Sequence, residues 1–252
     1  YEKRKYKKSF LLAKRGFKVT LFEKEESVGG RNAAIIKNGY KFDVGPTFLM
    51  MKFILDEVFE EAGRNVDDYM EFKRLEPMYR LQFDDVRLEP TTVKEAMMQQ
   101  LETSFPGSSE GYEKFMKTES VRFDRMYPCL QKDYSSYKKF LSFDLLKALP
   151  KLSLGRSLIG VLGDYFKSEK LKLSFTFQSK YLGMSAWDCP GAFGILPYVE
   201  HAYGVYHVTG GLSEISQGMA KVGEEHGVDI RLSSPVKQLT LDGRNVTGFE
   251  LE

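Results

Sequence analysis

Apolar and polar side chains alternate from Phe17 to Phe22, with Phe17, Val19 and Leu21 set against Lys18 and Thr20, and the run closes at Glu23. That period predicts a strand. Just before it, Leu11, Leu12 and Ala13 are followed by Lys14, Arg15 and Gly16. This reads as the last turns of a helix over Ser9 to Arg15, with basic residues at its C-terminal end and glycine as the stop. A helix leading into a strand is the second half of a β-α-β unit.

Further along, a Gly-Gly pair leads into Ala33 to Ile36, then Lys37-Asn38-Gly39, then Tyr40 to Val44. The pattern predicts a loop and a hairpin. From Thr47 to Glu61 the apolar positions Phe48, Met51, Ile54, Leu55, Val58 and Phe59 come close to helical periodicity, with a stop at Gly63. Met78 to Leu88 predicts a hairpin turning at Asp84-Asp85. The stretch from Thr91 to about Leu149 reads as mostly helical, with breaks at Pro106-Gly107 and at Pro128. Near the end, GVYHVTGG predicts a strand entering a glycine turn, Leu212 to His226 an amphipathic helix, and Asp229 to Leu232 a strand. A hairpin follows, Val236 to Leu241 and Val246 to Leu251, turning at Asp242-Gly243. An α/β domain interrupted by a second domain gives this order.

Charge narrows the partners. The 37 basic and 35 acidic residues nearly cancel, so no nucleic-acid partner is expected. Two cysteines, Cys129 and Cys189, have no paired spacing, and the three histidines, His201, His207 and His226, lack ligand-spaced neighbours. No metal is expected, and a reducing, cytoplasmic setting fits. No apolar run reaches the roughly 20 residues of a spanning helix. The segment 137–156 sets Lys138, Lys139, Lys147, Lys151 and Arg156 against a single acid, Asp144, among Phe140, Leu141, Phe143, Leu145, Leu146, Leu149 and Leu152. Both a helix lying on a membrane surface and a solvated helix packed on a core have this composition.

The candidate chemistry clusters between Glu23 and Thr47. An acid ending the second strand of a dinucleotide-binding unit accepts hydrogen bonds from ribose hydroxyls, and Glu23, with Lys24 beside it, stands at that point. Gly29-Gly30-Arg31 follows and offers unhindered N–H groups plus a guanidinium, which suit a pyrophosphate. Gly39-Tyr40 then leads through Asp43 to Gly45-Pro46-Thr47, where glycine permits close backbone approach and proline sets up the next helix. Taken singly, each glycine is also an ordinary turn, and Asp43 a helix cap or a solvated charge.

In this order, E-x-x-x-x-x-GGR followed by GYxxDxGPT resembles the FAD-binding signature of the phytoene desaturase and amine oxidase superfamily. GVYHVTGGLSEISQGMAKVGEEHGVDIRLSSPVKQL is similar to the segment in which carotenoid desaturases re-enter the FAD domain. KYLGMSAWDCPGAFGILPYVEHAYGVYH resembles the same family rather than amine oxidases. The resemblance spans nearly all of Leu11 to Glu252. It implies a mixed α/β (α+β) fold, in which a partial Rossmann-like FAD-binding domain (1–75 and 205–252) is interrupted by a substrate domain of sheet plus helices (76–204).

The resemblance further implies non-covalent FAD, with Glu23 on the adenosine ribose, Gly30 and Arg31 near the pyrophosphate, and Gly45 to Thr47 towards the flavin. Val236 would meet the adenine through its backbone, and Gly210-Gly211 would lie near the isoalloxazine ring, although a plain strand-to-helix turn fits that pair equally. The implied reaction removes hydrogen from a saturated C–C bond of a long linear isoprenoid, phytoene or a C30 precursor, and passes a hydride equivalent to flavin. Flavin carries the difficult chemistry, so no catalytic side chain is named. An amine-oxidase-like flavoprotein with another substrate is the alternative within enzymes, and a non-catalytic fragment that needs a partner chain is the alternative outside them.

In a complete motif the last glycine of G-x-G-x-x-G precedes the acid by about 18 residues. Measured back from Glu23, the second and third glycines fall on Glu2 and Lys5, and the first falls before the chain. The resemblance also implies that the family continues well beyond the point matching Glu252, so the sequence is read as an internal piece of a protein roughly twice its length.

Overall fold

The computed structural model of the chain describes residues 2–132, 134 and 142–252. They form two compact units, Tyr1–Arg74 with Val205–Glu252, and Leu75–Gly204.

In the first unit, α1 (Glu2–Lys14) is longer than the Ser9 to Arg15 segment expected from the sequence. It ends in a double closure: Phe17 N–H donates to Leu12 O and Gly16 N–H to Ala13 O, with Gly16 at φ 88°. This is the Schellman arrangement that glycine at the stop favours. β1 (Thr20–Phe22) covers only the second half of the alternating run and pairs in parallel with β9 (Asp229–Arg231). β2 (Ala34–Lys37) and β3 (Tyr40–Asp43) form the expected hairpin, and Asn38 and Gly39 at its tip have φ 53° and 80°. Positive φ at both residues is what a two-residue hairpin loop of this twist demands.

The helix expected from Thr47 is shorter. β4 (Leu49–Met50) pairs with β8 (Val205–Val208), which also pairs with β5 (Phe72–Arg74), and α2 (Lys52–Glu61) begins only after Met51 at φ 55°. Cross-strand bonds from distant residues override the local helical period here. Pro46 accordingly precedes a strand and not a helix. α9 (Ser213–Glu225) brings Ile215, Met219 and Val222 onto a core shared with Tyr6, Phe10, Leu55 and Phe59. Each such side chain contributes about 1.5–3 kcal/mol by leaving water. β10 (Val236–Asp242) and β11 (Asn245–Leu251) close the unit as a hairpin.

The second unit opens with the hairpin β6 (Leu81–Gln82) and β7 (Arg87–Leu88), turning at Asp84-Asp85 and closed by Phe83 N–H to Val86 O at 2.8 Å. Helices follow: α3 (Lys94–Ser104), α4 (Ser109–Leu130), α5 (Phe143–Ala148), α6 (Leu158–Leu162), α7 (Glu169–Ser174) and α8 (Ile195–Tyr203). Pro128 does not break α4, contrary to the sequence reading. It sits in the last turn, where its missing N–H removes one helical bond before the helix ends anyway. Of the segment 137–156, residues 137–141 lie outside the described residues. Across the remainder Ala148 is buried while Phe143, Leu146, Leu149 and Leu154 are exposed. No helix among the described residues is long and apolar enough to cross a membrane.

A buried ion pair ties this unit together. Arg122 Nη1 donates to Glu119 Oε2 and to Gly191 O, both at 2.9 Å, and Nη2 donates to Ser153 Oγ at 2.7 Å. Burial pushes the Glu119 carboxyl up to about 7 against the pull of Arg122. Removing one partner of such a pair leaves the other charge stranded. Arg122→Met is therefore expected to lower unfolding free energy by about 3–5 kcal/mol, measured by chemical denaturation. Lys94→Met, at the exposed Lys94–Glu113 pair, should leave the midpoint nearly unmoved.

Candidate functional site

Glu23 directly follows β1 and is 5% exposed. Its N–H donates to Arg231 O at 2.8 Å, its carbonyl accepts from Ser234 N–H at 2.8 Å, and its Oε1 accepts from Glu25 N–H at 3.2 Å. The carboxylate is thus oriented by the chain that follows it. Lys24 is exposed and pairs with Glu25 at 3.2 Å. Val236, two residues after Ser234, opens β10 and is 42% exposed. These residues belong to the C-terminal end of the β1–β9 pair.

A second group assembles around the start of α9. Gly29, at φ 123°, and Gly30, at φ 49°, lead into a single 3-10 turn, Gly30–Asn32. Among the described residues no acceptor takes the N–H of Gly30 or of Arg31, and the Arg31 guanidinium forms no ion pair. Asn32 fixes the turn: its Nδ2 donates to Leu212 O and, at 3.3 Å, to Ser216 Oγ. From the hairpin, Asp43 Oδ2 accepts from Leu212 N–H at 3.4 Å, and Lys41 pairs with Glu214 at 2.5 Å. Three side chains from the segment 32–43 therefore hold the first turn of α9.

The glycines are required by these close approaches. A Cβ on Gly45 would run into the carbonyl oxygen of Arg31, and a Cβ on Gly211 would lie 2.6 Å from Asp43 Oδ1. Gly211 also sits at φ 92°, beside Gly210 at φ 88°. Pro46 and Thr47 are exposed and continue from Gly45 towards β4. The structure thus brings Arg31, Gly45 and Gly211 together through Asn32, Asp43 and Leu212, while Glu23, Lys24 and Val236 stand at the β1–β9 end. Asn32 and the Lys41–Glu214 pair were missed by sequence reasoning, since no local pattern marks a latch between residues so far apart. Asp43 acts as a cap, but on the start of α9 and not on its own element.

With two N–H groups and a guanidinium that have no partner among the described residues, the Gly30–Arg31 turn could hold a diphosphate. A cleft of about 510 Å³ in the same unit is lined by Lys52, Asp56, Glu60, Arg64 and Asp67 and includes none of these residues. Among the described residues no group of three His, Cys, Asp or Glu could hold a metal ion.

The sequence profile of flavin-containing amine oxidoreductases matches residues 10–249. A 4,4'-diapophytoene desaturase (4,4'-diapolycopene-forming) of Methylomonas sp is 50% identical over 242 residues, which are 96% of this chain and 47% of that protein. A zeta-carotene-forming phytoene desaturase of Myxococcus xanthus is 32% identical over 244 residues, 96% of this chain and 47% of that one. The chain spans about half the length of the curated relatives it matches. Among solved structures, an oxidoreductase from Methanosarcina mazei superposes with a TM-score of 0.56 at 14% identity, over 98% of this chain and 53% of its own. A putrescine oxidase bound to putrescine gives 0.53 at 16% identity, over 94% and 50%. At these identities the structures share the fold.

Gly211→Ala should lose about 1–3 kcal/mol more stability than Gly39→Ala, because both residues have positive φ but only Gly211 faces a carboxylate at contact distance. Equal losses in thermal unfolding would show that Asp43 gives way.

Proposed function

The chain belongs to the flavin-containing amine oxidoreductase family, and on that premise we propose that it is part of an FAD-dependent desaturase acting on a long linear isoprenoid. The observation that carries this reading is the Gly30–Arg31 turn, tied by Asn32 to the start of α9, whose N–H groups have no acceptor and whose guanidinium has no ion pair among the described residues. The 50% identity to a 4,4'-diapophytoene desaturase points to a C30 carotenoid precursor as substrate.

In this proposal Gly29, Gly30 and Arg31 hold the diphosphate, and the buried Glu23 carboxylate, oriented by Glu25 N–H, accepts from the adenosine ribose. Lys24 lies beside it, and Val236, 42% exposed, borders the adenine through its backbone. Gly45, Pro46 and Thr47, with Gly210 and Gly211, present bare backbone on the flavin side. Bound FAD supplies a two-electron acceptor for the hydrogen removed from the substrate. The unit 75–204 takes the role of substrate domain, and the segments 1–74 and 205–252 that of the FAD domain.

A substrate dissolved in lipid has to be collected from a bilayer, and the exposed Phe143, Leu146, Leu149 and Leu154, interleaved with Lys147 and Lys151, are suited to an anionic membrane surface. The protein on this reading is cytoplasmic and peripheral. The test is incubation of the longer protein containing this chain with phytoene or its C30 analogue in liposomes. New polyene absorption at longer wavelength supports the proposal, and unchanged substrate in the presence of FAD rejects it. Arg31→Ala should weaken FAD binding by about 10–100-fold, the loss of one charge-assisted contact of about 1.5–3 kcal/mol, read from flavin fluorescence titration.

A further inference from the structure

The unit 75–204 contains a second polar cluster, built on α8. Glu200 is 0% exposed. Its Oε2 accepts from the Tyr79 hydroxyl at 2.9 Å and from Gln178 Nε2 at 2.7 Å, and its Oε1 accepts from the Tyr181 hydroxyl at 3.2 Å. All three donors are uncharged. Among the described residues Glu200 has no ion pair, in contrast to Glu119, whose carboxylate meets Arg122. The titratable groups that face Glu200 are the two phenols. Its neighbour on the helix, His201, turns instead to the Tyr112 hydroxyl at 3.1 Å and stacks on Phe175.

An ionised carboxylate shut away from water without a cation is strongly disfavoured. Burial accordingly raises the Glu200 carboxyl above its ordinary range, although the three donors pull the other way. Gln178 is also 0% exposed, and its Oε1 has no hydrogen-bond partner among the described residues. A buried oxygen left without a partner calls for an explanation. Tyr181, by contrast, is 43% exposed. It is a partly exposed phenol whose hydroxyl rests on a buried acid.

We propose that Glu200 is a proton-storing site, and that Tyr181 is the route by which its proton exchanges with solvent. In loading, a hydronium ion gives a proton to the Tyr181 oxygen and is left as water, while the Tyr181 O–H passes its own proton to Glu200 Oε1. Release is the reverse, and no electrons move. Tyr79, whose burial raises its hydroxyl well above the ordinary value, stays protonated and forms the inner end of the chain. The site stands independently of the flavin reading, because every residue in it lies in the unit 75–204.

Infrared difference spectroscopy of wild type against Glu200→Gln tests the store. At pH 7 the expected result is a carboxylic-acid C=O band present in wild type and missing from the variant. A difference containing only carboxylate stretches would overturn the proposal. Transfer into D2O tests the route: the band shifts as the proton exchanges, and Tyr181→Phe should slow that shift by an order of magnitude. Exchange as fast as in wild type would overturn the role of Tyr181. If Glu200→Gln does not fold, Tyr181→Phe carries the same comparison on the intact acid, since it removes only a hydroxyl from a half-exposed ring. Because the folded state keeps a proton that the unfolded state releases, wild-type stability should fall as pH rises above the ordinary carboxyl value of about 4.5. Glu200→Gln should lessen that fall in thermal unfolding, with the remainder coming from Glu119, whose carboxyl burial also raises.

Discussion

The start of α9 is where the unit of 1–74 and 205–252 is organised, and it works only because backbone and carboxylate meet there at contact distance. Asp43 reaches the Leu212 N–H past Gly211, a residue with no Cβ to obstruct it. Asn32 takes the Leu212 carbonyl from the other direction. One residue is therefore held at both its donor and its acceptor by side chains more than 160 positions earlier in the chain. The turn carrying Arg31, the hairpin carrying Asp43 and the glycine pair after β8 cannot move separately while those bonds persist.

That arrangement explains why the donors of the Gly30–Arg31 turn remain unspent. The turn is fixed through the Asn32 side chain and through its own carbonyls, and among the described residues no acceptor takes the preceding N–H groups. The passage of Gly45 over the Arg31 carbonyl satisfies steric demands without consuming the guanidinium. On the proposed reading, a surface set up in this way by the folding of its neighbours would leave little ordering to be done when an anion binds.

Much of this was legible in the sequence, for reasons that differ from residue to residue. Asn38-Gly39 and Gly16 report local backbone geometry, and both turned where the pattern placed them. The GGR and GPT runs stood out because several glycines in fixed order are hard to explain by turns alone. Leu49-Met50 was misread as helix because its strand partner, Val205-Tyr206, is distant in the chain. Pro128 was misread because a break near a helix end costs too little to act as one. The latches of Asn32, Lys41 and Asp43, and the buried Glu119–Arg122 and Glu200 clusters, carry no periodic signal at all. A charged residue on an otherwise ordinary helix looks solvated until tertiary packing buries it.

The two units handle polarity in different ways. Around α9 the Gly30 and Arg31 N–H groups have no acceptor among the described residues, whereas in the unit 75–204 the chain encloses charged and acidic side chains and answers them with Arg122 or with phenols. The central claim, that residues 29–32, 43–47 and 210–213 form one cradle for a flavin dinucleotide, is tested most directly by hydrogen–deuterium exchange with and without FAD. The account expects the three segments to gain protection together, at the same FAD concentration. Protection limited to one of them, or no change in any, would contradict it.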